Sequence, residues 1–146
     1  MTDVKIFLRQ IRMYRLEVIE LEERIEKLHP AVYQPAIRYD IDKVQSQPVD
    51  PNDKYIDMLS DYQNKLNKYK NELVDKCRQA ETMIESLTAS EQRRVLRAYY
   101  LPDIHHDNKP LPTWEDVADQ LGYSVQNVWV IHGKALKELN EHSKKD

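Results

Sequence analysis

The residues whose types and spacing best suit a function lie between positions 113 and 139. Thr113 can cap a helix, Ala118 is small enough for two helices to cross closely, and Gly122 can adopt the positive φ of a tight turn. Ser124 can then cap a second helix. The chemistry would be noncovalent: the two helices cross steeply, and the outer face of the second helix is free to enter a DNA major groove.

The apolar residues of this segment predict which helix faces are buried. Each set recurs at the three- and four-residue spacing of one helix face. An ordinary helical hairpin without a ligand would share this pattern, so that alternative stays open. The expected inner residues are Trp114, Val117, Ala118 and Leu121 on the first helix, and Val128, Ile131, Ala135, Leu136 and Leu139 on the second.

A supporting helix is predicted just before this pair, in the stretch TASEQRRVLRAYYL. Thr88 and Glu91 have the spacing of a capping box, so the helix should begin there. It should end at Pro102, where a polar loop over 102–112 begins. The inner face of this helix would be formed by Val95, Leu96 and Tyr99.

A long helix is predicted at 4–28, near the start of the chain. It should end at His29 and Pro30, because a residue before proline disfavours the helical region. Ile6, Leu8, Leu16 and Ile19 widen its apolar stripe, which indicates more than one neighbour. The stripe itself follows a heptad seam of Val4, Phe7, Ile11, Tyr14, Val18, Leu21, Ile25 and Leu28.

A second long helix is predicted from Pro51 to about residue 87, after a linker over 30–50. Asp50 suits its N-cap, Pro51 its first position and Asp53 its first turn. Two such helices predict an antiparallel hairpin or the arms of an intertwined dimer. Apart from an interruption at Lys76, the seam consists of Tyr55, Leu59, Tyr62, Leu66, Tyr69, Leu73, Ala80, Met83 and Leu87.

These elements predict an all-α fold with two domains. Residues 1–87 would form a long helical hairpin or coiled-coil arm, and residues 88–146 a small three-helix helix-turn-helix domain. The low count of 2 glycines and the charged fraction of 32% agree with long helices that have wet faces.

Composition excludes several classes of protein. No apolar run is long enough to span a bilayer, and no signal peptide is recognisable. Cys77 is the single cysteine, so a reducing, cytoplasmic compartment is expected. A net charge of −3 argues against a protein that coats nucleic acid nonspecifically, but it permits a sequence-specific nucleic-acid-binding protein with local basic patches.

The other candidate chemistry is weak. The stretch DIHHD could supply metal ligands, but adjacent histidines point apart and no second cluster accompanies them. His29, His132 and His142 are isolated, which predicts helix-terminus or surface positions. No phosphate-binding glycine loop, nucleophile motif or carboxylate pair stands out. We therefore expect no enzyme activity, no metal and no cofactor.

The motifs LTASEQRRVLRAYYL and TWEDVADQLGYSVQNVWVIHGKALKEL together resemble region 4 of sigma-70-type factors. With the upstream stretch RYDIDKVQSQPVDPNDKYIDML, the chain resembles the RinA and ArpU type regulators of late genes in phages and prophages of Gram-positive bacteria. The resemblance implies a transcriptional regulator that binds double-stranded DNA and is able to act together with RNA polymerase. The helix-turn-helix part covers about the last 60 residues.

The resemblance carries the DNA-contacting positions of region 4 onto Ser124, Val125, Gln126, Asn127, Trp129, Val130 and Lys134. Gln126 and Asn127 suit adenine and Val125 a thymine methyl, whereas Ser124 and Lys134 suit phosphates. Trp129 would stack on DNA or pack against the preceding helix or a partner. Val125, Asn127, Trp129 and Val130 stand where sigma factors often place Arg, Glu or Gln, so the standard −35 promoter element is not the expected target.

Further phosphate contacts are expected from Arg93, Arg94 and Arg97, with Thr113 completing the DNA-binding set. The alternative is a solvated face with ion pairs to Glu91. Residues 113–146 hold four lysines against six acidic residues, so a single module should bind DNA weakly. A homodimer or higher homo-oligomer through the heptad helices, or recruitment by RNA polymerase, would supply the missing affinity.

Two other functions fit the same pattern. Small terminase subunits of phage DNA-packaging machines also join a helix-turn-helix to coiled-coil segments, and they assemble into rings. A coiled-coil adaptor that binds only protein is the other alternative. Assembly size separates regulation from packaging, and salt-sensitive binding to duplex DNA separates both from the adaptor.

Overall fold

A computed structural model describes residues 3–32, 51–102 and 111–145. The regular secondary structure of these residues is entirely helical, which confirms the all-α class. Most of the predicted linker, the Asp50 N-cap and the DIHHD stretch lie outside the described residues. The helices are α1 (Asp3–Val32), α2 (Pro51–Glu85), α3 (Ser90–Tyr100), α4 (Trp114–Leu121) and α5 (Val125–Lys145).

Helix α1 follows the predicted apolar stripe but ends later than predicted. The expected stop at His29 and Pro30 was wrong, because the helix continues to Val32. Pro30 lacks the amide that would donate to the Glu26 carbonyl, so the last turns have one backbone hydrogen bond fewer than a regular helix. Ile6 and Leu16 are exposed, so the stripe is narrower than predicted. The buried apolar residues are Val4, Leu8, Ile11, Val18 and Leu21.

Helix α2 begins with Pro51 in its first position and Asp53 in its first turn, as predicted. The interruption of its heptad seam at Lys76 has a structural explanation. The Lys76 ammonium lies over the rings of Phe7 and Tyr14, 5.5 and 5.4 Å from their centroids. It also donates to Gln10 Oε1 at 3.3 Å. Cation–π contacts with α1 thus replace an apolar contact at this position.

The chain divides into two compact units. The first unit is formed by residues 1–16 and 72–146, and the second by residues 17–71. The first unit is therefore larger than the predicted helix-turn-helix domain, since it also includes the start of α1 and the end of α2.

Helices α3, α4 and α5 of the first unit share one core, and each contacts the other two. The inner residues predicted for α5 are all buried, as are Val117 and Ala118 on α4. Burial of one such apolar side chain stabilises the fold by about 1.5–3 kcal/mol. The central cluster consists of Val95, Val117, Ala118, Val128 and Ile131, with Trp114, Leu121 and Val125 among the residues at its edge.

The connection between α2 and α3 differs from the predicted capping box. The N-cap is Ala89, and no side chain caps α3. The helix begins one residue later than predicted, so Glu91 is not in the third helical position that a capping box requires. Instead, Arg93 Nη1 donates to the carbonyl oxygens of Leu87 at 2.5 Å and Thr88 at 3.1 Å. The Arg93 side chain thus stabilises the connection between α2 and α3 in place of a helix cap.

Candidate nucleic-acid interface

The start of α4 has the Thr113 cap that the sequence predicts, and Asp116 completes it as a capping box. The Asp116 amide donates to Thr113 Oγ1 at 3.2 Å, and the Thr113 amide donates to Asp116 Oδ2 at 2.9 Å. Both donors would otherwise lack an intrahelical partner. Thr113 is exposed, but its hydroxyl already accepts a bond within the chain.

The turn between α4 and α5 depends on a left-handed glycine. Gly122 has φ 75° and ψ 30°, and the Tyr123 amide donates to the Ala118 carbonyl at 2.9 Å. A Cβ on Gly122 would meet no atom within 4 Å, so the backbone angle and not space requires glycine here. The helical path is therefore broken at this residue, and α5 starts in a new direction.

Helix α5 begins with the predicted serine cap. Ser124 Oγ accepts from the Asn127 amide at 3.1 Å, and the Ser124 carbonyl accepts from the Val128 amide at 3.0 Å. Ala118 belongs to the same buried cluster as Val128 and Ile131, which face it from α5. A small side chain at Ala118 lets the two helices approach closely.

The outer face of α5 is exposed in the first unit. Trp129 and Val130 are each 53% exposed, and Gln126, Asn127 and Lys134 are also exposed. These residues are close enough in sequence to form one surface over the first turns of the helix. Their amide, aromatic and ammonium groups can supply hydrogen bonds, stacking and charge to a ligand.

Two of the predicted α5 contacts have other roles in the structure. Val125 is half-buried at the edge of the core. Ser124 is exposed, but its hydroxyl accepts the capping hydrogen bond. A hydroxyl that accepts one bond can still donate its own proton to a phosphate oxygen.

The three arginines of α3 are not equivalent. Arg93 binds the carbonyls of the α2–α3 connection, and Arg97 Nε and Nη2 contact Glu81 Oε1 at 2.7 and 2.5 Å. The acidic partner of Arg97 is thus Glu81 and not the expected Glu91. Arg94 is exposed and has no ion pair within the described part of the chain.

An open groove of about 460 Å³ lies between α1 and the α3–α5 core, and sequence reasoning missed it. Trp129 lines the groove, so the groove adjoins the outer face of α5. Three cations from α1 line it too, and none of the lining residues in the described ranges is acidic. These cations are four and three residues apart, a spacing that the sequence shows, but the heptad pattern predicts α1 only as part of a coiled-coil arm. The groove cations are Lys5, Arg9 and Arg12.

Arg12 connects α1 to two distant parts of the chain. Its Nη1 donates to the Tyr99 carbonyl at 2.7 Å, and its Nη2 donates to the Pro112 carbonyl at 3.1 Å. The guanidinium also lies 3.8 Å from the centroid of the Tyr99 ring, and that ring stacks on Trp114 at 3.6 Å. Burial lowers the pKa of Arg12. Arg12 therefore has a structural role and leaves Lys5 and Arg9 as the available cations.

His132 forms part of the core, so the predicted surface or helix-terminus position was wrong. It is 9% exposed, and its Nε2 lies 2.7 Å from the Tyr100 hydroxyl in a hydrogen bond. Burial, and then the charges of Lys5 and Arg9, lower the pKa of His132 to about 4. Burial raises the pKa of Tyr100 to about 12. Both side chains are neutral at pH 7.

Cys77 is half-buried beside Arg15, whose Nη2 lies 3.6 Å from its sulfur. Burial raises the pKa of the Cys77 thiol, although Arg15 opposes the change. A raised pKa disfavours the reactive thiolate.

No known protein family, curated protein or solved structure matches the chain. Within the described residues, no group of His, Cys, Asp and Glu side chains could hold a metal ion. None of the described helices combines the length and apolar character needed to cross a membrane. The function is therefore inferred from the geometry of α4, α5 and the groove.

Proposed function

We propose that this protein is a sequence-specific, double-stranded DNA-binding transcriptional regulator that uses α4 and α5 as a helix-turn-helix. One observation carries the proposal: the outer face of α5 is exposed, while its inner face is fully used in the core. The left-handed turn at Gly122 and the caps at Thr113 and Ser124 give this helix pair a fixed geometry. Helix α5 is the recognition helix in this proposal.

Base recognition is assigned to the first turns of α5. The side-chain amides of Gln126 and Asn127 can each form paired hydrogen bonds with an adenine edge. Val130 can contact a thymine methyl, and Trp129 can stack or pack beside the groove wall. Each good paired contact favours the correct base by about 1–3 kcal/mol.

The regulatory role is inferred from the resemblance to region 4 of sigma factors and to RinA and ArpU type regulators of late phage genes. The residues on the outer face differ from the usual region 4 pattern, so the protein is proposed to read its own promoter element. Helix α2 has solvent-exposed apolar residues in the second unit, among them Ile56, which is 49% exposed, and Met58, which is 42% exposed. A homodimer through these residues would bring two recognition helices to half-sites about 34 Å apart or a multiple of that distance.

Selection of bound sequences from random duplex DNA tests the proposal with the full chain. We expect enrichment of one motif, and its loss when Gln126→Ala and Asn127→Ala are combined. The chain offers a matched control, because Gln63 and Asn64 repeat the same dipeptide at exposed positions of α2. Gln63→Ala with Asn64→Ala should keep the motif. Failure of the wild-type protein to enrich any sequence would contradict direct recognition by α5.

The uncovered residues of α2 also favour a second candidate, a ring-forming subunit of a DNA-packaging machine. A ring would cover the same apolar residues that a dimer covers. Native mass spectrometry separates the two functions: a monomer or dimer supports regulation, and a ring of eight or more chains supports packaging.

A further inference from the structure

The start of α1 presents a row of cations beside the recognition helix. Lys5, Arg9 and Arg12 lie four and three residues apart, so they share one face of α1. All three line the groove that Trp129 and His132 border from α5. Arg12 is held by two carbonyls and the Tyr99 ring. Lys5 and Arg9 have no carboxylate partner within the described part of the chain.

The groove places these charges beside α5, because Lys5 and Arg9 line it together with Trp129 and His132. Burial, and then these two charges, lower the pKa of His132, which agrees with that position. Trp129 lies three residues before His132 and is half-exposed on the outer side. Lys5 and Arg9 therefore lie beside the surface proposed to contact bases.

The helix-turn-helix pair is short of positive charge by itself. Helix α4 carries three exposed acidic residues, Glu115, Asp116 and Asp119, and no cation. Residues 113–146 hold four lysines against six acids. Because neutralisation of phosphates dominates DNA affinity, cations must come from another part of the chain or from a partner. The side of the recognition helix is where the DNA backbone passes in helix-turn-helix complexes.

We propose that Lys5 and Arg9 bind backbone phosphates of the same duplex whose bases α5 contacts. The proposal rests on the proposed function. None of the described residues that line the groove is acidic, so its charge complements a polyanion. The start of α1, which belongs to the first unit, is then part of the DNA-binding surface. Phosphates contacted in this way contribute affinity on every sequence and leave base preference to Gln126 and Asn127.

The test measures binding of the full chain to its selected duplex and to an unrelated duplex over a range of salt concentrations. Fluorescence anisotropy gives the affinity at each salt. Lys5→Gln with Arg9→Gln should weaken binding to both duplexes by similar factors, about tenfold or more at low salt, since two phosphate contacts are lost. The slope of log K against log salt should become shallower by about 2. The ratio of the two affinities should stay unchanged.

A matched control removes the same charge from the same helix. Arg24 and Lys27 are exposed on the part of α1 that belongs to the second unit. Arg24→Gln with Lys27→Gln should leave affinity and salt slope at the wild-type values. An equal loss in this control would mean that overall charge, and not the groove position, explains the effect, and it would overturn the proposal.

The remaining outcomes separate this inference from the proposed function. If the wild type selects a motif that depends on Gln126 and Asn127, an unchanged salt slope in the Lys5 and Arg9 variant overturns the inference alone. If the wild type binds no duplex at any salt, both are wrong. Circular dichroism checks folding, since Lys5 is half-buried. Should the double variant unfold, the exposed single change Arg9→Glu tests the same loss of affinity and slope.

Discussion

The two compact units of the chain have the same kind of helix pattern and very different burial. In the first unit, α3, α4 and α5 bury a shared core in which Val95, Val117 and Val128 have no solvent exposure. In the second unit, the buried residues are Val18 and Leu21, and the described α2 residues up to 71 are exposed or half-buried. Heptad spacing therefore predicts a helix and its apolar face, but a partner must be present to cover that face.

Polar contacts also differ between the two units. The second unit has an ion pair between Glu22 and Lys70 at 3.4 Å, with both side chains about half exposed. Such a pair contributes about 0–1 kcal/mol. The first unit has a partly exposed pair too, between Arg97 and Glu81, but it also holds a buried hydrogen bond between Tyr100 and His132. Buried polar contacts specify one arrangement of the helices, and exposed pairs do not.

A leucine-to-alanine substitution in each unit should give the largest difference in the free energy of unfolding. Leu96→Ala removes a side chain with 0% exposure from the first unit and should lower the free energy of unfolding by about 2–5 kcal/mol. Leu66→Ala at the half-buried α2 seam should cost about 1 kcal/mol or less, because it leaves no closed cavity. Urea unfolding measures both. Equal losses would show that the second unit is as tightly covered as the first, which would remove the contrast between them.

Added bulk at the α4–α5 crossing should have the next largest effect. Ala118→Leu forces a larger side chain into the cluster with Val128 and Ile131, which should cost about 1–3 kcal/mol or more and disrupt the helix pair. Ser60→Leu adds similar bulk at an exposed position of the second unit and should leave the thermal midpoint near the wild-type value. Circular dichroism measures the helix content and the thermal midpoint of both variants. An unchanged midpoint in Ala118→Leu would contradict the proposed close crossing.

The smallest predicted effect is the contribution of His132 to the pH dependence of stability. It should be absent near neutral pH and should become measurable as the pH falls. Its folded pKa of about 4 lies below the ordinary value of 6.5, so the folded protein binds fewer protons between these values. Stability from this group is complete above pH 6.5 and is lost as the pH falls toward 4. Protonation places a further positive charge beside Lys5 and Arg9, and a charged imidazole is costly to bury next to Tyr100.

Unfolding followed by tryptophan fluorescence between pH 7.5 and 4.5 measures this loss in the first unit, which contains both tryptophans. His132→Gln keeps a hydrogen-bonding side chain without the titration, so the stability difference between wild type and variant should shrink as the pH falls. A difference that stays constant over this window would contradict the buried, neutral state of His132.

The sequence by itself determined the features that depend on residues a few positions apart. The helical class, the Thr113 and Asp116 capping box, the left-handed turn at Gly122 and the Ser124 cap all follow from local hydrogen bonds and backbone sterics. The inner face of α5 follows from helical periodicity, which is also local. Such features are set before distant parts of the chain meet.

Only the tertiary structure decided which polar groups are available to a ligand. Arg12 binds carbonyls 87 and 100 residues away, and Arg97 pairs with Glu81 on another helix. His132 is buried because Tyr100, 32 residues earlier, lies against it. The groove of Lys5 and Arg9 likewise joins the start of the chain to α5. Periodicity carries no information on which distant residues meet, because burial and charge pairing depend on how the helices pack.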